Sequence, residues 1–149
     1  NMIIAMDDML WTINPVNDNM ARTADRMKEF AEALCHRHGV RIRLQSAGNM
    51  AALRPDMKIR HELLLIYKLI LRLLVEEMKA ADTLVELDYD HSLLHLSFYS
   101  GGVRTDDRNS RLIRLLEEAK TRAVSVRGTL DLQSDEKGTA VLFICPSTF

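Results

Sequence analysis

The stretch Met57–Ala81, MKIRHELLLIYKLILRLLVEEMKAA, contains no proline or glycine and is rich in the helix formers Leu, Lys, Arg, Glu and Met. Asp56, directly before it, can serve as the N-cap. At about 100° per residue, its apolar side chains cover a broad arc, which predicts a helix buried over most of its surface. The other side chains form a narrower polar stripe through Lys58, His61, Glu62, Lys68, Arg72, Glu76 and Lys79.

Three leucines of this stretch do not fit the division into apolar arc and polar stripe. Leu65 and Leu69 fall inside the polar stripe, and Leu73 falls at its edge. The simplest interpretation is that a neighbouring loop covers them. A functional explanation needs information from the rest of the chain.

Length and charge limit the class of protein. The chain has 149 residues, enough for one domain or for one domain with a helical appendage. Its net charge of −1 argues against a nucleic-acid binder. Residues 63–75 are too short and too charged to span a bilayer, and no signal peptide is visible. Cys35 and Cys145 are expected to be buried thiols of a protein in the reducing cytoplasm.

The remaining segments predict an α+β fold. Helices are expected at 20–38, ended by Gly39, and at 110–126, capped by Asn109 or Ser110. Alternating apolar residues predict strands at 40–45, 83–90, 93–99, 128–133 and 139–144. The last four of these are expected to form two hairpins. This order has no regular βαβ repeat. It therefore predicts a two-layer α/β sandwich, with a mixed, mostly antiparallel sheet and helices on one face.

The segment Asp8–Asp18, DMLWTINPVND, follows the pattern D-x-x-W-x-I-N-P-x-N-D. Together with Gly128-Thr129-Leu130 and Gly138-Thr139, it resembles the ATP-binding domain of bacterial two-component sensor histidine kinases. These belong to the GHKL superfamily, and the resemblance is to the branch that includes nitrate sensors. It implies that residues 1–16 are the end of a dimerisation helix and its junction, with Trp11 packed on the domain. Residues 17–149 would be the kinase-like ATP-binding domain.

The resemblance also implies partners and a location. We expect a homodimer through the upstream dimerisation helices and a response regulator as a further partner. No nucleic acid and no direct membrane contact are expected. The expected location is the cytoplasm, either free or as the cytoplasmic part of a membrane-anchored sensor.

The central helix departs from this family at its chemical residues. The family has a Glu that acts as or positions a general base, and an Asn that holds Mg²⁺. These align with Leu69 and Leu73. Mg²⁺ takes hard oxygen ligands, and leucine has none. Leu65 has no such explanation.

The other nucleotide motifs are also altered. The adenine-binding Asp of the family's D-x-G-x-G aligns with Tyr99, and the glycine-rich G-x-G-L aligns with a helical segment that includes Leu115. The remnants of the ATP site are Gly101, Gly138 and Thr139. His36 and His38 lack a third ligand nearby in sequence, so no metal site is expected.

The sequence therefore predicts a signal-transduction domain with a degenerate ATP site, acting as a pseudokinase or interaction module. No catalytic residue and no cofactor are expected. The space at Leu69 and Leu73 should be filled by apolar residues from 100–116. Two alternatives remain: a divergent active kinase that binds ATP and Mg²⁺ and phosphorylates an upstream histidine, or a scaffold that only supports dimer contacts.

Overall fold

The computed structural model describes residues 2–47, 50 and 53–148, with side chains from Met6 onward. Its strands form one sheet in the order β1-β2-β3-β5-β4. The strands are β1 (Arg41–Ser46), β2 (Asp82–Asp90), β3 (Leu93–Gly101), β4 (Thr129–Ser134) and β5 (Gly138–Pro146). β1 pairs with β2 in parallel, and the other pairs are antiparallel. The predicted single mixed sheet is confirmed.

The α-helices are α1 (Met2–Ile13), α2 (Met20–His38), α3 (Met57–Arg72) and α4 (Ser110–Ser125). The side chain of Asn19 caps α2, and Gly39 ends it in the left-handed conformation, at φ 65°. Asn109 caps α4 by accepting a hydrogen bond from the Leu112 N–H at 3.0 Å. The helices predicted at 20–38 and 110–126 are confirmed, the second to within one residue.

The prediction that the central helix continues to Ala81 is wrong. α3 ends at Arg72, and Leu73–Glu77 form one π-helical turn, in which the Met78 N–H donates to the Leu73 carbonyl oxygen at 3.0 Å. Lys79 then adopts a positive φ of 61°. The chain must leave the helix here because Asp82 already pairs with Arg41 at the start of the parallel ladder.

The core lies between the helices and one face of the sheet. Tyr67 of α3 connects its parts: its ring stacks on Phe98 of β3, with centroids 6.1 Å apart, and meets the Phe30 ring of α2 edge-on. Its hydroxyl donates to the Met27 carbonyl oxygen at 2.8 Å, and burial raises the pKa of Tyr67. α3 is therefore the buried centre of the fold.

α1 lies along α3 in the opposite direction. Near the end of α3, the Lys68 ammonium contacts Asp8 at 2.8 Å, and near its start Arg60 donates to the Asn17 carbonyl oxygen at 2.7 Å. Leu65 is buried on the face of α3 between these two contacts. The predicted burial of Leu65 is thus observed, at 6% exposure.

The cysteine prediction holds for one residue. Cys145 is buried, and burial raises the pKa of its thiol to about 12, whereas Cys35 is only half-buried. None of the helices in the described part of the chain is long and apolar enough to cross a membrane.

Candidate functional site

Two ion pairs fix how α4 packs on α3. Glu62, in the first half of α3, contacts Arg122 near the end of α4 at 3.0 Å. At the other end, Glu77 contacts Arg111 in the first turn of α4 at 3.1 Å. The two elements therefore run antiparallel, with their side chains meeting along their length.

Leu69 of α3 and Leu73 of the following π turn lie between Glu62 and Glu77, at spacings of seven, four and four residues. These spacings keep the four side chains near one face of the continuous helical segment. Leu69 is 8% exposed and Leu73 is 0% exposed, and both belong to the main apolar core. Leu69 and Leu73 therefore face α4.

The facing stripe of α4 is apolar as well. Leu115 and Ala119 lie between Arg111 and Arg122 on α4, and both are buried in the same core. Val103 and Leu116 are partly buried against that core. As expected, apolar residues of the 100–116 region lie where this helix pair meets.

Tyr99, the third position singled out in the sequence, lies on the open face of the sheet, away from the helices, and is 48% exposed. Its neighbour Ser100 faces the helices, is fully buried, and its hydroxyl lies 2.7 Å from the Thr83 hydroxyl. The side chain of Tyr99 therefore does not enter the space between the helices and the sheet.

Leu115 lies within a continuous helix. α4 starts at Ser110 and includes Leu115 in its second turn. Only residues 102–109 connect β3 to this helix. The backbone N–H groups around Leu115 are used inside the helix, so this segment cannot present them to phosphate as a glycine-rich loop would.

The three remnants of the motif lie together at one end of the sheet. Gly101 and Gly138 are directly opposite each other on β3 and β5. A Cβ at Gly138 would lie 2.5 Å from the Ser100 carbonyl oxygen, so only glycine fits there. The buried Thr139 hydroxyl donates to the Val103 carbonyl oxygen at 2.9 Å. Gly138 and Thr139 hold the strand pair and the following loop together, which is sufficient reason for their presence.

Two buried polar groups were missed as candidates by sequence reasoning. The carboxylate of Asp8 is 0% exposed and contacts Lys68 at 2.8 Å and Arg26 at 3.4 Å. His61 is 6% exposed, and its pKa is lowered by desolvation, with smaller opposing effects from Glu62 and Asp8. Asp8 Oδ2 and His61 Nδ1 have no hydrogen-bond partner among the described residues. For Asp8, the sequence did contain a signal of burial. Asp8 and Thr12 are polar and lie one turn apart on a helix whose other side is apolar.

The described residues offer no ready metal centre. In the ranges 2–47 and 53–148, and at Met50, no group of three or more His, Cys, Asp or Glu side chains could hold a metal ion. The charged groups at the two ends of the α3–α4 contact, Glu62 and Glu77, are each paired with an arginine.

This five-stranded mixed sheet with helices matches the fold of histidine-kinase ATP-binding domains. Histidine kinase AdeS of Acinetobacter baumannii is similar to this chain with a TM-score of 0.68 and 8% identity, over 97% of this chain and 76% of its own. The catalytic domain of histidine kinase ThkA, in a nucleotide-free form, matches with a TM-score of 0.63 and 10% identity, over 87% and 93% of the two chains.

A third similar structure is the histidine kinase domain of the blue-light activated histidine kinase of Erythrobacter litoralis EL346. It has a TM-score of 0.62 and 14% identity, over 83% of this chain. The present chain spans 60% of the length of that structure. At these identities the similarity shows the fold. No protein-family model and no curated protein matches the chain.

Proposed function

We propose that this chain is a signalling domain of a two-component sensor histidine kinase whose nucleotide site is closed, and that it acts as a pseudokinase or interaction module. The observation that carries the proposal is the burial of Leu69 and Leu73 against α4. In the family resemblance, these two positions hold the Glu and Asn that serve the nucleotide.

The chemistry of Mg-ATP explains why this burial matters. Mg²⁺ requires oxygen ligands in near-octahedral geometry, and the facing side chains Leu69, Leu73 and Leu115 have none. A triphosphate without its metal would place charge against an apolar wall, where the loss of hydration is expensive. Tyr99, which the resemblance aligns with the family's adenine-binding Asp, has no carboxylate and is 48% exposed. Both ends of the nucleotide would therefore lack their partners.

A second part of the proposal is a homodimer through the upstream dimerisation helices, of which α1 would be the end. Met6, Leu10 and Ile13 follow a four-three spacing and are 58%, 63% and 49% exposed. Such a stripe suits the seam of a two-helix contact. A response regulator as further partner, the nitrate-sensor branch and a cytoplasmic location rest on the resemblance of the Asp8–Asp18 motif and belong to the same proposal.

The nucleotide part is tested by titration calorimetry with Mg-ATP and Mg-ADP, and by thermal unfolding at millimolar nucleotide. A ligand at about one hundred times its Kd would stabilise the fold by about 2.7 kcal/mol, so binding could not be overlooked. We expect neither heat of binding nor a rise in Tm. Micromolar binding would overturn the proposal in favour of a divergent active kinase that phosphorylates an upstream histidine.

Leu73→Asn serves as a probe of the same site. It restores the family's residue at a fully buried position, so we expect a loss of about 1–3 kcal/mol in unfolding free energy and no gain of nucleotide binding. Val124→Asn, at a 73% exposed position on α4, is the control, with an expected change within about 0.5 kcal/mol. Binding gained by Leu73→Asn would show that the site is open.

A further inference from the structure

β1 forms one edge of the sheet. It lies outside β2 in the strand order, and no strand in the described part of the chain pairs with its other side. The Arg41 N–H donates to the Ala81 carbonyl oxygen at 2.9 Å, and the Ala47 N–H donates to that of Leu87 at 3.0 Å. The odd-numbered residues of β1 therefore direct their backbone groups at β2, and the even-numbered residues direct theirs outward. Such an edge can accept a further strand.

A groove lies beside this edge, between β1 and α2. It is lined by Ile42 and Leu44 of β1 and by Lys28, Ala31, Glu32 and Cys35 of α2. Among the described residues, none from β2 lines the groove, which places it at the outer side of β1. Its volume of about 240 Å³ is below the range of about 300–1,000 Å³ typical of small-molecule sites, so it suits side chains of a bound segment. A strand added to β1 would direct every second side chain into this groove.

The opposite face of β1 is positively charged at its edge. Arg41 and Arg43 are both exposed there, and Arg43 approaches Asp82 of β2 at 3.5 Å in a half-exposed contact. A strand added to β1 would lie about 5 Å from it, with β2 one strand further away. The two arginines would therefore be the nearest charges to the added strand. Opposite charges stabilise such cross-strand neighbours, and like charges destabilise them.

This charge decides between two kinds of strand that could occupy the edge. A second copy of the chain, paired antiparallel through both Ile42 and Leu44, would place its Arg43 directly opposite Arg43, which is unfavourable. A segment of another protein with carboxylates at alternate positions would be stabilised by the same arginines. The edge therefore favours an acidic segment over a second copy.

We propose that the outer edge of β1 binds an extended segment of a partner protein in which apolar residues alternate with Asp or Glu. The segment pairs antiparallel with β1, its apolar side chains enter the groove below α2, and its carboxylates lie beside Arg41 and Arg43. This inference goes beyond the closed nucleotide site and does not rest on it, so either can fail alone.

Cys35 makes occupation of the groove measurable. It is half-buried in the groove lining, whereas Cys145, the other cysteine of the chain, is buried in the core. Iodoacetamide should therefore alkylate Cys35 first in the folded protein, and a segment bound in the groove should slow this reaction. The reagent is neutral, so the charge of a bound segment does not itself alter its approach.

The probe is a blocked peptide of alternating Val and Glu, and its control has Lys in place of every Glu. We expect the Val–Glu peptide to slow alkylation of Cys35 and to bind at least about tenfold more tightly than the Val–Lys peptide in titration calorimetry. Methylation of the Val amide nitrogens, which removes the donors that face β1, should abolish binding.

Charge reversal on β1 tests the role of the two arginines. Arg41→Glu combined with Arg43→Glu should reverse the preference, so that the Val–Lys peptide binds more tightly than the Val–Glu peptide. Arg114→Glu, at an exposed position on α4, is the control and should keep the wild-type preference.

Three results would overturn the inference. The first is that the Val–Glu peptide neither binds nor slows alkylation of Cys35. The second is equal affinity of the wild-type chain for the two peptides, which would exclude recognition of an acidic segment. The third is self-association of the wild-type chain that protects Cys35 in the absence of peptide, which would assign the edge to a second copy.

Discussion

His61 is a polar side chain that sits on the polar stripe of its helix and yet is buried. Desolvation lowers its pKa below the ordinary value of 6.5, because α1 and α4 shield this part of α3 from water. Glu62 and Asp8 favour the protonated form and Arg122 opposes it, but burial is the largest effect. The folded protein therefore prefers a neutral His61.

This preference makes stability depend on pH. Below about pH 6.5, the unfolded chain takes up the proton at His61 before the folded chain does, so the contribution of His61 is complete above that pH and is lost as the pH falls. We expect the unfolding free energy from urea titrations to fall less between about pH 7.5 and 5.5 for His61→Gln than for wild type. His36→Gln, at an exposed histidine, is the control and should keep the wild-type slope. Equal slopes for His61→Gln and wild type would contradict the assignment.

At the scale of elements, two glycines, Gly101 and Gly138, lie directly opposite each other on β3 and β5. Gly138 leaves no room for a Cβ, whereas the nearest heavy atom to a Cβ at Gly101 would be 3.7 Å away, in the Tyr99 side chain. Gly138→Ala should therefore cost about 1–3 kcal/mol of unfolding free energy through overpacking. Gly101→Ala, on the opposite strand, should change it by less than about 0.5 kcal/mol.

Urea unfolding of the two variants measures this difference. Similar losses of unfolding free energy at both positions would mean that the strands move apart easily to make room for a Cβ. Close approach of the strands would then not explain the glycine at position 138. The two variants also show which of these glycines the fold itself requires.

Sequence patterns predicted most elements because each had a local signal. Asn19 and Gly39 mark the ends of α2, and alternation marks the strands. The end of α3 had no such signal: residues 73–81 are good helix formers, and the helix stops because Asp82 must enter the sheet beside Arg41. The π turn after Arg72 therefore results from tertiary structure, not from the local sequence.

The candidate site was predicted in part. Burial of Leu69 and Leu73 followed from their apolar character, but the element that covers them, α4, could be named only from the resemblance. The exposure of Tyr99 follows from the alternation of β3, which the comparison of glycine motifs had not used. The inward roll of Asp8 could not be predicted, since it depends on Lys68 and Arg26, which are distant in sequence.

At the scale of the whole molecule, α3 contacts α1, α2 and α4 within the helical layer, and its Tyr67 ring stacks on Phe98 of the sheet. The fold is shared with the similar kinase structures, at TM-scores of 0.63 and 0.68. In this chain the contact between α3 and α4 is apolar and belongs to the main core.

The parallel pairing of β1 with β2 has a consequence for the order in which the sheet assembles. The antiparallel hairpins β2–β3 and β4–β5 join neighbours in sequence, whereas residues 47–81, with all of α3, separate β1 from β2. Closing this long connection costs chain entropy that is recovered only after α3 has docked. We expect the backbone amides of β1 to become protected last in pulsed hydrogen exchange during refolding, and protection of β1 together with β3 would contradict this order. In this protein β1, at one edge of the sheet, would be the final part of the structure to form.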